Sequence, residues 1–248
     1  MQRRTLFATS ILSAFAASAA KAKDLPALAP SVTDEVVPTA DNPVLLNFNE
    51  NSLGMSAKAK EAVVNGLSTA FRYPDQARTD LVADIAKFYG VDPALVTLGA
   101  GSSEILQAVV ESQVEKARHA GKKVQVVEPV PTFGIVAGYA EALHVPVVDI
   151  PVKKDTFEAD IAALKKAVDG FDGVSIVYFC NPNNPTSIVT AASVLNAWIE
   201  EAAARKAPVF FLLDEAYAEY VTDPNFVSGV ELVKKGLTNP VSYTHLRA

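Results

Sequence analysis

Val209-Phe210-Phe211-Leu212-Leu213-Asp214-Glu215-Ala216-Tyr217 joins a run of five apolar residues to an acid. A short unbroken apolar run with β-branched and aromatic members predicts a strand buried on both faces, as in a parallel sheet covered by helices. Asp214 then stands at the strand's carboxyl end, the edge where open α/β sheets hold their ligands. A carboxylate there can pair with a protonated ring nitrogen of a bound cofactor. It can equally cap a turn or a helix, and the residues alone leave both readings open. Tyr217, three residues on, is within reach of the same ligand.

Working outward, short apolar runs alternate with amphipathic stretches. Strands are predicted over 96–98, 124–127, 145–149, 174–179 and 209–213, and helices over 102–120, 133–143, 158–168 and 191–206. This alternation predicts an α/β fold with a parallel sheet covered by helices, and by itself it fits many doubly wound folds. Upstream, 56–69 and 79–89 read as two helices joined by Phe71-Arg72-Tyr73-Pro74. The last amphipathic stretch covers 226–237 and carries Lys234 and Lys235 at its polar end.

Two more strand ends carry chemistry. Leu98-Gly99-Ala100-Gly101-Ser102-Ser103-Glu104 follows a predicted strand and opens a helix, so backbone amides at the helix start can meet an anion such as a phosphate. The same layout also serves merely to connect a strand to a helix. Phe179-Cys180-Asn181-Pro182-Asn183-Asn184-Pro185-Thr186 ends another predicted strand in a fixed turn that displays side-chain amides. Most Asn-Pro turns are only turns; this one ends a strand in the same array as Asp214.

Composition excludes several classes. Half of the 248 residues are hydrophobic, enough for a large core, and the net charge of -6 argues against a phosphate-backbone binder. No nucleic-acid partner is expected. The single cysteine, Cys180, and three scattered histidines, His119, His144 and His245, give no metal-ligand spacing.

The amino terminus reads as an address. Arg3 and Arg4 precede an apolar run over 6–20 that ends in Ala20-Lys21-Ala22, a small-x-small cleavage pattern. Residues 1–22 are expected to be a twin-arginine-type signal peptide, although Gln2 stands where Ser or Thr is commoner. The mature chain is expected in the periplasm or outside the cell, without a stable membrane anchor. Residues 23–45, rich in Pro, Ala and acids, are expected to form an extended arm.

Taken in order, the segments from about Leu46 to Tyr220 resemble the fold-type I pyridoxal-phosphate-dependent aminotransferases, most closely the histidinol-phosphate aminotransferase group. Leu46-Asn47-Phe48-Asn49-Glu50-Asn51 resembles the group's substrate-side motif, which gives Asn49 and Glu50 a substrate role. Arg72-Tyr73-Pro74 resembles the segment that reaches a neighbouring subunit's cofactor, which implies a homodimer with Tyr73 at the partner's phosphate. By resemblance, Ala100, Gly101, Ser102 and Ser103 surround the phosphate of pyridoxal 5'-phosphate, and Phe133 stacks on its ring. Asn184 and Tyr217 meet the ring's 3'-oxygen, and Asp214 pairs with its nitrogen. Asp214 and Tyr217 are thus the catalytic candidates. The implied activity moves an amino group between an amino acid or amine and a 2-oxo acid.

Departures from the group's pattern are visible. Ser187 stands where Gly is usual, and Phe133 replaces a common Tyr. The group places a Ser-Lys pair, then a carboxylate-binding Arg, a few tens of residues beyond Asp-Glu-Ala-Tyr. The resemblance implies the group's α/β large domain, a mixed, mainly parallel sheet with helices on both faces, and here that domain is expected to be partial and to run over 46–240. Residues 241–248, Val-Ser-Tyr-Thr-His-Leu-Arg-Ala, resemble a translated sequencing adapter and are expected to be non-native. The chain as written is therefore expected to be inactive for lack of the cofactor lysine. A pyridoxal-dependent decarboxylase or lyase, and a non-catalytic exported binding protein on the same scaffold, remain as alternatives.

Overall fold

The computed structural model describes residues 39, 41, 43–45, 47–51, 54–237 and 241–244, the last four as backbone. The signal reading over 1–22 lies outside the described residues, as do nearly all of the arm and the final residues 245–248. The chain divides into two compact units, one up to Ile85 and one from Ala86.

In the first unit, α1 (Ala57–Gly66) begins at Ser56, whose hydroxyl accepts from the Ala59 amide at 3.2 Å and satisfies one of the helix's orphan donors. A 3-10 turn over Leu67–Thr69 completes it, as expected for 56–69. Helix α2 (Asp75–Tyr89) starts four residues earlier than expected. Pro74 explains the difference: its fixed φ suits a helix start, and its carbonyl already accepts from the Arg78 amide at 2.8 Å.

The second unit is a helix–sheet–helix sandwich. Strands β1 (Val124–Val130), β2 (Val147–Pro151), β3 (Val174–Cys180), β4 (Val209–Asp214) and β5 (Val241–Thr244) form one sheet in the order β2-β1-β3-β4-β5, with every pairing parallel. Successive side chains point to opposite faces. Val124, Val126, Ile176, Tyr178, Cys180, Phe210 and Leu212 therefore share one core with helices α3 (Ser102–His119) and α4 (Ile135–Ala142). The intervening Val127, Val177, Phe179, Phe211 and Leu213 build the second core with α5 (Ile161–Asp169), α6 (Ala192–Ala204) and Leu232 of α7 (Val230–Lys234). There the Trp198 and Phe211 rings meet edge to face with centroids 4.9 Å apart.

Some expectations are corrected. Residues 96–98 are not a strand: they follow a 3-10 turn over Pro93–Leu95, and among the described residues no strand pairs with them. Strand propensity without a partner backbone leaves an extended connection. The second strand begins at Val147 rather than 145, and α5 begins at Ile161 because Asp160 caps it through the Ala163 amide at 3.0 Å. The amphipathic stretch 226–237 condenses to the short α7. The backbone of 241–244, where no strand was expected, pairs with β4 in the register Phe211↔Val241 to Asp214↔Thr244.

The connections position the site. From β1 the chain crosses through α4 to β2 at one edge, whereas from β3 it crosses through α6, on the opposite face, to β4 on the other side. The two paths diverge between β1 and β3. A crevice at their carboxyl ends follows from this topology, and such a switch point is where open α/β sheets bind ligands.

Candidate active site

The crevice walls are tied to each other. Thr132, just beyond β1, donates its hydroxyl to Asn183 Oδ1 at 2.8 Å, and Asn183 Nδ2 donates back to the Pro131 carbonyl at 3.0 Å. The same amide reaches Thr186 Oγ1 at 2.9 Å. Deeper in, the Asn181 amide donates to the Asp214 carbonyl at 2.9 Å, and the Asn181 side chain closes the β3 turn through both Thr190 backbone groups, at 2.8 and 3.1 Å. The carboxyl ends of β1 and β3 are thus tied by side chains, and those of β3 and β4 by the backbone bond from Asn181 to Asp214.

Asp214 is 2% exposed. Its Oδ2 accepts the Tyr178 hydroxyl at 3.1 Å and its Oδ1 accepts the Ala216 amide at 3.2 Å, so both carboxyl oxygens meet donors inside the fold. Burial, and next the charge of Asp214, push the Tyr178 hydroxyl far above the usual tyrosine range, so it remains a neutral donor. Burial, and next the same charge, raise the Cys180 thiol to about 12, which leaves it an unreactive thiol facing the Pro182 carbonyl at 3.2 Å.

Helix α3 aims its amino terminus at this edge. Its last turns, with Lys116, Ala117 and Ala120, line a hollow with Val174, Val209 and Phe210 at the amino ends of β3 and β4. Its 18 residues span about 27 Å, so its first turn lies at the opposite, carboxyl edge. Gly101 precedes it with φ 79° and ψ 173°, a conformation open essentially to glycine alone, and offers no side-chain cap. The Ala100 amide is engaged by the Glu104 carboxylate, while Ser103 is fixed from outside by the Tyr139 hydroxyl on its carbonyl at 3.3 Å.

Of the other expected site residues, Phe133 follows β1 with its side chain exposed, Asn184 is half-buried in the β3 turn, and half-buried Tyr217 follows β4 at the start of a 3-10 turn. The structure therefore gathers Ala100 to Ser103, Phe133, Asn184, Asp214 and Tyr217 on one unit. Exposed Asn49, Glu50 and Tyr73 belong to the other, where Arg72 stacks on Phe71 at 4.7 Å.

The sequence reading missed Asn183, Tyr178 and Glu128. Glu128, in β1, is 2% exposed and its Oε2 has no hydrogen-bond partner. Burial, then the charge of Asp149, lift its carboxyl to about 7. A glutamate and a tyrosine inside otherwise apolar strand runs were the available signals.

Comparison with known proteins agrees with this architecture. Residues 41–245 match the family described as aminotransferase class I and II, and the chain belongs to that family. It is 34% identical over 192 residues to a histidinol-phosphate aminotransferase of Brevibacillus brevis, covering 77% of this chain and 49% of that one. It is 33% identical to an aromatic amino acid aminotransferase of Thermobifida fusca, covering 76% and 49%. A crystal structure provisionally named a histidinol-phosphate aminotransferase, from Erwinia carotovora atroseptica, superposes with a TM-score of 0.77 at 36% identity, covering 85% of this chain and 58% of that one. The chain spans about half the length of the curated relatives it matches.

Proposed function

We propose that the whole protein uses pyridoxal 5'-phosphate to transfer an amino group between an amino acid or amine and a 2-oxo acid, in the manner of the histidinol-phosphate aminotransferases. The observation that carries this reading is the buried Asp214, held by Tyr178 and Ala216 beside the switch-point crevice. When bound, the cofactor supplies an electron sink at its protonated ring. Asp214 holds the proton on the ring nitrogen. Ser102 and Ser103, with the uncapped amides that open α3 after Gly101, hold the phosphate, as does Ala100 to the extent that Glu104 releases its amide. Phe133 covers the ring face, and Asn184 and Tyr217 hold the 3'-oxygen. Asn49 and Glu50 lie on the substrate side. Tyr73 serves a partner subunit's phosphate in a homodimer.

The amine that moves the proton between substrate and cofactor carbons comes from a lysine. Lys234 and Lys235, the two that follow Asp214, are held in surface ion pairs with Glu231 at 2.7 Å and Glu200 at 2.6 Å. Neither serves that role, so the 248 residues alone are inactive in this reading. Export through the paired arginines, with delivery to the periplasm, belongs to the same proposal. Among the described residues, no helix is long and apolar enough to cross a membrane.

The test is amino transfer by the whole protein, loaded with pyridoxal 5'-phosphate, from histidinol phosphate and a panel of amino acids to a 2-oxo acid. Transfer supports the reading. Loss of carbon dioxide or of a side-chain fragment without transfer would make the protein a decarboxylase or lyase, and binding without turnover would make it a binding protein.

A further inference from the structure

Glu128 has no part in the chemistry above, yet it is a second buried acid on the sheet face that carries Asp214. Val126 pairs with Ile176 and Val127 with Val177, so the same register carried one residue further sets Glu128 beside Tyr178. Tyr178 in turn donates to Asp214. The three side chains thus lie on three adjacent strands, β1, β3 and β4, all toward α3 and α4. Glu128 is buried with one carboxyl oxygen unpartnered, which is a costly arrangement for an anion and a tolerable one for the neutral acid.

We propose that Glu128 is a positioning residue for Asp214, acting through the buried Tyr178 hydroxyl: as a neutral acid it leaves Asp214 the one buried anion of that face, with Asp149 exposed at its edge, and as a carboxylate it adds a second buried one. Two carboxylates near one buried hydroxyl compete for its single proton donor and repel each other. Ionising Glu128 therefore changes the charge and the hydrogen bonding of the group that meets the cofactor ring. The titratable groups facing Glu128 are few. Asp149 is its pairing partner on β2, Tyr178 and Cys180 stand on β3, and Asp214 stands on β4. From α4, Tyr139 packs on this core with its hydroxyl on the Ser103 carbonyl, and the α3 residues buried there, Leu106, Val110, Val114 and Ala117, are uncharged. The titration of Glu128, near pH 7, lies where it would act under ordinary conditions.

The proposal rests on the reading of Asp214 as the ring's partner, and its test separates the two. The first measurement needs no cofactor. Carbon-13 NMR of the side-chain carboxyls follows the Glu128 titration, with Glu128→Gln identifying the signal. Removing the neighbouring charge in Asp214→Asn should lower the Glu128 midpoint by half a pH unit or more, because linked sites shift each other reciprocally. Tyr178→Phe, which keeps the ring and removes the link, should also move it. An unchanged midpoint in both variants would overturn the proposal. The second measurement is the pH dependence of pyridoxamine 5'-phosphate affinity, a probe that needs no lysine. Wild type should show an inflection near the Glu128 midpoint, and Glu128→Gln should lack it. The same inflection in both would overturn the link to the cofactor. If the probe fails to bind wild type at any pH, it is the proposed function that falls, while the coupling measured without ligand stands or falls by itself.

Discussion

Thr132 and Asn183 fasten the carboxyl ends of β1 and β3 across the switch point, hydroxyl to amide oxygen at 2.8 Å, and Asn183 returns a second bond to the Pro131 carbonyl at 3.0 Å. The crevice is therefore held at a set width by side chains rather than by the ladder, whose β1–β3 register runs from Val124↔Val174 to Val127↔Val177. A ligand meeting residues from both strands needs that width fixed before it arrives.

Removing this fastening should loosen the fold and the site together. Asn183→Ala deletes three side-chain hydrogen bonds, leaving the Thr132 hydroxyl without its acceptor and the Thr186 hydroxyl with the Ile188 amide alone. A loss of about 1–3 kcal/mol in urea unfolding is expected, with a smaller one for Thr132→Val. Equal stability of Asn183→Ala and wild type would show that the fastening carries no weight.

Gly101 is required by its backbone rather than by space, since no atom lies within 4 Å of an added Cβ. At φ 79° and ψ 173°, Gly101→Ala should cost about 1–3 kcal/mol or re-aim the start of α3. Pyridoxamine 5'-phosphate affinity reports the second outcome. A variant with unchanged stability and unchanged affinity would remove the helix start from the site.

Asp214→Asn retains shape and loses charge. Because a hydrogen bond to a charged group contributes about 1.5–3 kcal/mol, pyridoxamine 5'-phosphate should bind roughly ten- to a hundredfold more weakly at neutral pH. Titration by the ligand's own fluorescence measures this, and undiminished affinity would cancel the role given to Asp214.

Glu128 makes stability depend on pH in a defined direction. Its carboxyl is raised from 4.5 to about 7, so between those values the folded chain holds a proton that the unfolded chain has released. Stability therefore falls as pH rises through that window and stays reduced above it. The effect is on the order of 3 kcal/mol. Glu128→Gln should abolish the fall, and urea midpoints at pH 5 and pH 8 decide it: parallel behaviour of the two proteins contradicts the assignment.

Replacing Arg3 and Arg4 with Lys should keep the chain in the cytoplasm if the leader is of the twin-arginine type. Fractionation with an antibody to the mature chain gives the answer. Unchanged delivery to the periplasm would leave only an ordinary secretory leader.

Much of the fold was legible because hydrophobic periodicity is local. The strands over 124–127, 174–179 and 209–213 and the helices over 102–120 and 191–206 were each announced by their own residues, and so was Asp214 at the end of β4. The run 96–98 misled for the opposite reason, since a strand exists only where another backbone pairs with it. The start of α2 was missed because Pro74 acts through its carbonyl and fixed φ, which the apolar pattern does not record.

The sequence by itself determined the α/β alternation, the glycine at the start of α3 and the acid at a strand's carboxyl end, because each depends on residues within one turn or one strand. Only the tertiary structure decided which strand ends meet. The order β2-β1-β3-β4-β5 opens the crevice between β1 and β3, ties Thr132 to Asn183 across 51 positions and sets Tyr178 on Asp214 across 36. The same order buries Glu128 beneath the site, where loss of water rather than its own chemistry moves its titration toward neutrality. Burial and partnership between distant positions are set by how the helices close over the sheet, and no local stretch of sequence contains them.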